Sequence, residues 1–406
     1  MTPWLAVVGI GEDGLEGLAP AARTLVETAE VLVGGERHLA MVPAGGAERL
    51  AWASPIERTI DEIAARRGRR VTVLATGDPM FFGIGVTLAR RFDIAEMTIV
   101  PAVGAVQLAC ARLGWAEAEV EPVTLVGRPL EALNLHLRPG ARLVILSEDR
   151  ESPEAVATAL RAKGFGPSRI AVFERMGSED ERRIEGIAEG WSADGIADLN
   201  TIAVDCRAAP GASALSRAPG LPDEAFAHDG QLTKREVRAV TVAALAPMPN
   251  ALLWDVGAGC GSVAIEWLRA ERGARAVAVE RNPERAALIA RNAAALGVPG
   301  LGIVTGEAPG ALEGLEAPDA VFVGGGASGE GLLEACWEAL SPSGRLVANA
   351  VTIETEAALA RFGTARGGEL VRLAVSRMEE IGELHGWRPL RAVTQLRAVK
   401  PSGTTP

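Results

Sequence analysis

Twice in this chain an apolar run of strand length ends in a glycine turn and passes straight into a helical pattern. The runs are Leu5-Ala-Val-Val-Gly-Ile-Gly11 and Leu252-Leu-Trp-Asp-Val-Gly-Ala-Gly-Cys-Gly-Ser262. No other feature constrains the fold as strongly. Strands buried on both faces read as unbroken apolar runs, and parallel neighbours need helical crossovers between them. Glycine at the strand end lets the backbone turn and come close to a ligand where a Cβ would intrude. Further strand-like runs alternate with helical stretches: Val31–Val33, Val71–Ala75, Thr98–Pro101, Arg142–Leu146 and Thr201–Asp205, then Arg275–Val279, Ala320–Val323 and Gly344–Ala350. Alternation of this kind predicts an α/β architecture with mostly parallel sheets.

The 406 residues suffice for two or three domains at roughly 100–200 residues each. Arg207–Pro222 is rich in Pro, Gly, Ala and Ser without apolar periodicity and reads as a linker, so the expected division is 1–205, a linker over 206–222, and 223–406. With 48% apolar residues the chain is not disordered. Its four scattered cysteines do not make a disulfide framework. No uncharged apolar run is long enough for a membrane span, and no signal-peptide pattern precedes the first strand, so a cytoplasmic location is expected. A net charge of −11 argues against nucleic acid as a partner.

In the second run an acid, Asp255, precedes Gly257, Ala258, Gly259, Cys260 and Gly261, and the next strand ends at Glu280. An acid at that place can accept hydrogen bonds from ribose hydroxyls. The dinucleotide pattern G-x-G-x-x-G puts a pyrophosphate on the helix start, but here the third glycine comes one residue early, and Asp255 would repel a pyrophosphate. An acid there suits a ligand carrying an ammonium and a sulfonium, which points to S-adenosylmethionine. Gly306, Glu307 and Ala308, after the third strand, are placed to hold an adenine edge.

The runs Leu232–Val237, Trp254–Glu266, Val279–Asn282 and Ala350–Glu354 resemble the methylating and decarboxylating subunit of corrin-ring synthesis, a class I methyltransferase with a Rossmann-like fold. The resemblance spans about 220–406. It implies C15 methylation, loss of the C12 acetate carboxyl, and cofactor contact at Thr233, Gly257 to Gly261, Glu280 and Ala308. Cys260 stands where that family usually has Thr, and a small side chain is kept.

The first half pairs Gly9 and Gly11 with Gly77-Asp78-Pro79-Met80, and no Lys-Ser/Thr follows to make a phosphate loop. This pairing resembles the class III tetrapyrrole methylases, whose two small α/β lobes grip adenosylmethionine. Val31–His38 and Pro101–Gln107 are similar to the members that methylate C5. Val126-Gly-Arg-Pro129 departs from that family, which usually has His before Gly-Arg-Pro. The fused order implies a bifunctional precorrin methyltransferase giving precorrin-8X. It would use one adenosylmethionine per domain and self-associate as a homo-oligomer. Two other readings stay open: a fusion acting on another planar substrate such as a tRNA or rRNA base, and a chain with one degenerate, non-catalytic half.

Methyl transfer is an in-line displacement, so the protein chiefly aligns the two reactants and needs no covalent nucleophile. A polycarboxylate substrate of an acidic protein requires local cations, for which Arg37, Arg128, Lys234, Arg235 and Arg238 are candidates against ordinary surface charge. Asn349 and Thr352 are candidates for substrate contact or for helix capping, and His228 with Asp229 for a proton relay or a loop turn. Trp254 and Trp267 read as core. The four histidines show no ligand spacing, and no metal is expected.

Overall fold

The structure, a computed structural model, describes residues 3–212 and 214–403. They pack into two compact units, 3–130 with 137–212 and 131–136 with 214–403. The stretch expected as a linker is held at both ends. Cys206 N–H donates to Ala141 O and Ala209 N–H to Gly164 O in the first unit, while Leu221 is 2% exposed in the core of the second.

The first unit has two lobes. Strands β1 (Leu5–Ile10), β2 (Val31–Gly34), β3 (Glu48–Ala51), β4 (Val71–Thr76) and β5 (Met97–Val100) form a parallel sheet in the order β3-β2-β4-β1-β5. Val7, Val8, Val31, Val33 and Val73 are wholly buried, so these runs carry no polar alternation. The second lobe contains β6 (Val120–Thr124), β7 (Arg142–Leu146), β8 (Arg169–Glu174), β9 (Arg182–Ile187) and β10 (Asn200–Asp205), in the order β6-β7-β10-β8-β9. Here the expected parallel pairing gives way. Only β6 and β7 run parallel, because β8 turns back into β9 as a hairpin and β10 enters antiparallel between β7 and β8.

The second unit is one sheet of β11 (Leu252–Val256), β12 (Arg275–Glu280), β13 (Gly302–Thr305), β14 (Ala320–Val323), β15 (Arg345–Ala350), β16 (Glu369–Leu373) and β19 (Val393–Val399). Its order is β13-β12-β11-β14-β15-β19-β16, with the first five strands parallel and β19 antiparallel to both of its neighbours. Strand order reverses between β11 and β14, and ligands of open α/β sheets bind beyond the carboxyl ends of strands at such a point. Trp254 and Trp267 are buried as expected, at 2% and 1% exposure. A hairpin of β17 (Ser376–Ile381) and β18 (Leu384–Pro389) lies outside the sheet and is exposed along most of its length.

Candidate functional sites

At the carboxyl end of β11 the backbone turns through Gly257 at φ 70°, where a Cβ would stand 2.9 Å from the Gly325 nitrogen. Two glycine loops therefore touch, and only glycine permits it. Gly261 caps the start of the helix Ser262–Ala270. Glu280, 4% exposed at the end of β12, accepts the Gly259 N–H at 2.8 Å through Oε2 and the Asn282 N–H at 3.0 Å through Oε1. Gly257, Gly259, Glu280, Gly306, Glu307 and Ala308 line one cleft of about 500 Å³. A carboxylate fixed by two backbone donors, facing a turn across a strip of bare backbone, suits a nucleoside with free ribose hydroxyls.

A larger chamber of about 1030 Å³ shares Gln231, Gly257, Gly259 and Gly324 with this cleft. Thr233, Ala258 and Cys260 are on its wall. Cations gather at its edge. Lys234 Nζ is 3.9 Å from Asp223, Arg377 donates to Asp223 at 3.1 Å and to Glu236 at 2.7 Å, and Arg391 has no ion pair among the described residues. Arg377, Arg388 and Arg391 belong to the hairpin and its exit, and the sequence reading missed them. The signal was faint: alternating polarity around Gly382, in a segment with no motif. The reading also missed Gly324–Gly326, although a glycine triplet after a strand was visible.

Asn349 faces the chamber from the end of β15. Its Nδ2 donates to Thr241 Oγ1 at 3.2 Å and its Oδ1 accepts from Gln395 Nε2 at 2.9 Å, so its orientation is fixed by a buried polar network. The other candidates go elsewhere. Thr352 caps the helix Ile353–Arg366, accepting the Thr355 N–H at 3.3 Å. His228 is exposed, its Nδ1 accepting the Gly230 N–H in a local turn, and Asp229 pairs with Arg285 at 2.8 Å. Arg235 is exposed and off the chamber wall.

Two placements differ from expectation for a clear reason. Arg238 is wholly buried, donating to Glu266 Oε1 at 2.6 Å and Asp223 Oδ1 at 3.3 Å, with its guanidinium 4.6 Å from the Phe226 ring centre. Its charge is spent inside the fold and is not available to a substrate. Asp255 lies beneath the loop at 1% exposure, where Oδ2 accepts the Ala264 N–H at 3.0 Å and Oδ1 has no partner. Burial pushes its carboxyl up to about 7, and the nearby Glu280 charge adds to the effect. Burial likewise raises the Cys260 thiol, which makes it a packing group and a poor nucleophile.

In the first unit, Gly9 is required by close approach, since a Cβ there would fall on Gly77 O and within 2.6 Å of Ala102 N. Gly11, Glu12, Arg37, Thr76, Gly77 and Val103 line a narrow cleft that reaches the second lobe at Phe173 and Thr201, with about 50 Å³ enclosed. Arg37 is paired with Glu12 and hydrogen-bonded to Thr76 Oγ1 at 3.2 Å and His38 Nε2 at 2.9 Å. Burial and the Arg37 charge hold His38 down to about 4, so the ring is neutral and accepts from Arg37. Asp78 is used locally, its Oδ1 accepting the Met80 N–H at 2.8 Å to close the turn ahead of Met80. Val126 is 58% exposed, so it does not pack in the core. Among the described residues there is no cluster of His, Cys, Asp and Glu able to hold a metal, and no helix is long and apolar enough to cross a membrane.

Residues 5–189 match the family model for tetrapyrrole (corrin/porphyrin) methylases, and residues 224–400 match that for the precorrin methyltransferase domain. A precorrin-6Y C(5,15)-methyltransferase [decarboxylating] from Sinorhizobium sp is 48% identical over 398 residues, 97% of this chain and 96% of the relative. Its namesake in Mycobacterium tuberculosis (strain CDC 1551 / Oshkosh) is 43% identical over 401 residues, 98% of this chain and 100% of the relative. Among solved structures, the C-terminal domain of precorrin-6Y C5,15-methyltransferase from Rhodobacter capsulatus is 43% identical, with a TM-score of 0.44, covering 46% of this chain and 100% of that one.

Proposed function

Because this chain belongs to the family of decarboxylating precorrin-6Y C5,15-methyltransferases, we propose that it methylates a precorrin ring at C5 and C15 and removes the carboxyl of the C12 acetate, giving precorrin-8X in cobalamin biosynthesis. One observation carries the reading of the second unit. A cleft of about 500 Å³ lined by Glu280 shares its wall at Gln231, Gly257, Gly259 and Gly324 with a chamber of about 1030 Å³ that has Lys234, Arg377 and Arg391 at its edge. That volume suits a macrocycle, and those cations suit its carboxylates.

S-adenosyl-L-methionine, when bound, supplies an electrophilic methyl group on a sulfonium. We assign one molecule to each unit. In the second, Glu280 enters the cleft with its carboxylate already held by the Gly259 and Asn282 N–H groups, and its remaining lone pairs are free for ribose hydroxyls. Gly306, Glu307 and Ala308 would hold the adenine end, and Thr233 with the Gly257–Cys260 backbone, turned into its helix by Gly261, the methionine end. In the first, Gly11 and Gly77 line the cleft that would hold the donor, and we assign Gly9, Asp78, Pro79 and Met80 to the same site.

The reacting carbon is the ring's own nucleophile, so the chain's part is alignment. Asn349, locked by Thr241 and Gln395, offers an amide at a fixed place on the chamber wall. Loss of the acetate carboxyl as carbon dioxide leaves an electron pair that the conjugated ring takes up, and a proton then replaces the carboxyl. Stripping the carboxylate of water helps that bond break, and the apolar wall of Val237, Val263 and Phe322 is placed to do so. We further assign a cytoplasmic homo-oligomer that acts on a small-molecule tetrapyrrole and binds no nucleic acid.

Mass spectrometry of the precorrin substrate after incubation with the protein and adenosylmethionine tests the reading. The product should carry two added methyl groups and lack one carbon dioxide. A single methyl addition would reduce one unit to a binding module, and an unchanged ring would overturn the proposal.

A further inference from the structure

The turn after Gly77 in the first unit builds an exposed apolar ledge that its other roles do not explain. Met80, Phe81 and Phe82 are 44%, 36% and 37% exposed, and Val103, on the wall of the donor cleft, is 61% exposed. Phe82 is held at φ 54°, a left-handed conformation that is costly for a bulky side chain and that tends to persist at functional sites. The turn is rigid. Phe81 N–H donates to Asp78 O at 3.1 Å and Gly85 N–H to Pro79 O at 2.9 Å, and a Cβ on Gly83 would come within 2.6 Å of Pro79 O. The Phe81 and Phe82 rings lie partly exposed edge to face, 4.8 Å apart between centres.

A cation completes the ledge. The Arg128 guanidinium stands 5.5 Å from the Phe82 ring centre and has no carboxylate partner among the described residues. The ledge is continuous with the donor cleft, because Gly77 and Val103 line that cleft and Gly77 leads into Met80. An apolar surface of this kind, with one unspent guanidinium and a methyl-donor cleft at its side, matches a flat apolar ring bearing anionic arms.

Building on the methyltransferase reading above, we propose that Phe82 and Arg128 seat the tetrapyrrole in the first unit, Phe82 against the ring and Arg128 on a peripheral carboxylate, and thereby present C5 to the donor.

The full chain provides its own control, since C15 methylation and decarboxylation belong to the other unit. With ¹³C-methyl adenosylmethionine, NMR of the product separates the C5 methyl from the C15 methyl. Phe82→Ala and Arg128→Gln should each raise the KM for the ring at the C5 step about tenfold or more, as loss of a charged hydrogen bond or of an aromatic contact implies. Arg128→Lys should recover part of the loss. Two adenosylmethionine equivalents should still bind, and the C15 step should stay within about twofold, a result that global misfolding would not give. Wild-type protein that leaves C5 unmethylated overturns the underlying reading and this one with it. Wild-type protein that methylates C5, alongside variants whose KM at C5 is unchanged, overturns only the seat. Sedimentation adds a last arm: if Phe82→Ala dissociates an oligomer while C5 kinetics hold, the ledge is an interface between copies and the proposal falls.

Discussion

Replacing Asp255 by Asn isolates the cost of the acid beneath the glycine loop. Its carboxyl is 1% exposed, with one oxygen on the Ala264 N–H and the other without a partner, and burial lifts its pKa from 3.8 to about 7. In the unfolded chain the same group ionises at its ordinary value. As pH rises from about 4, the unfolded state therefore loses this proton first, and the folded state is penalised progressively until about pH 7. Above that both states are ionised and the penalty is constant. About three units at 1.36 kcal/mol each set the full penalty near 4 kcal/mol. The amide keeps an acceptor for Ala264 and cannot ionise. Asp255→Asn should thus gain on the wild type by up to about 4 kcal/mol between about pH 4 and pH 8. Hydrogen exchange of peptides covering 252–270, read in the full chain at matched pH, measures the difference where the group acts. A stability difference that does not vary with pH refutes the buried-acid reasoning. The side chain is off the cleft wall, so adenosylmethionine affinity should change by less than about tenfold, and a hundredfold loss would refute that placement.

Glu280→Ala should weaken adenosylmethionine binding in the second unit by about 10- to 100-fold, the worth of a charged hydrogen bond or two, and leave C5 methylation intact. Calorimetry should show one of two sites weakened, and two unchanged sites would sink the ribose role. Arg238→Met should cost more than about 3 kcal/mol, because it leaves the buried Glu266 carboxylate without its cationic partner, while Asp223 keeps Arg377. A drop in melting temperature reads it, and a near-neutral result would mean that Glu266 finds another donor. Thr352→Ala should lose about 1 kcal/mol of local helix stability with kcat at C15 unchanged, whereas a lost kcat would return Thr352 to the substrate site.

What the sequence determined is what short stretches of backbone decide. The buried strands at Leu5–Ile10 and Leu252–Val256, the glycine turns after them and Glu280 at the end of the next strand are all local. Strand burial leaves an unbroken apolar run, a positive φ or a close approach leaves a glycine, and both can be read without knowing the neighbours. The tertiary structure decided where charge and polarity point. Lys234 and Arg238 sit four residues apart at the start of one helix, yet Lys234 faces the chamber while Arg238 is sealed against Glu266 and Asp223. Asp255 reads as a ligand acid and lies under the loop, because the helix that follows turns the Ala264 N–H toward it. The chamber's other cations, Arg377, Arg388 and Arg391, come from a hairpin and its exit more than a hundred residues past the glycine loop. Arg128 meets Phe82 only because two loops of the first unit fold together. A side chain's charge is spent or kept according to which distant groups the fold brings beside it, and local sequence does not contain those distances.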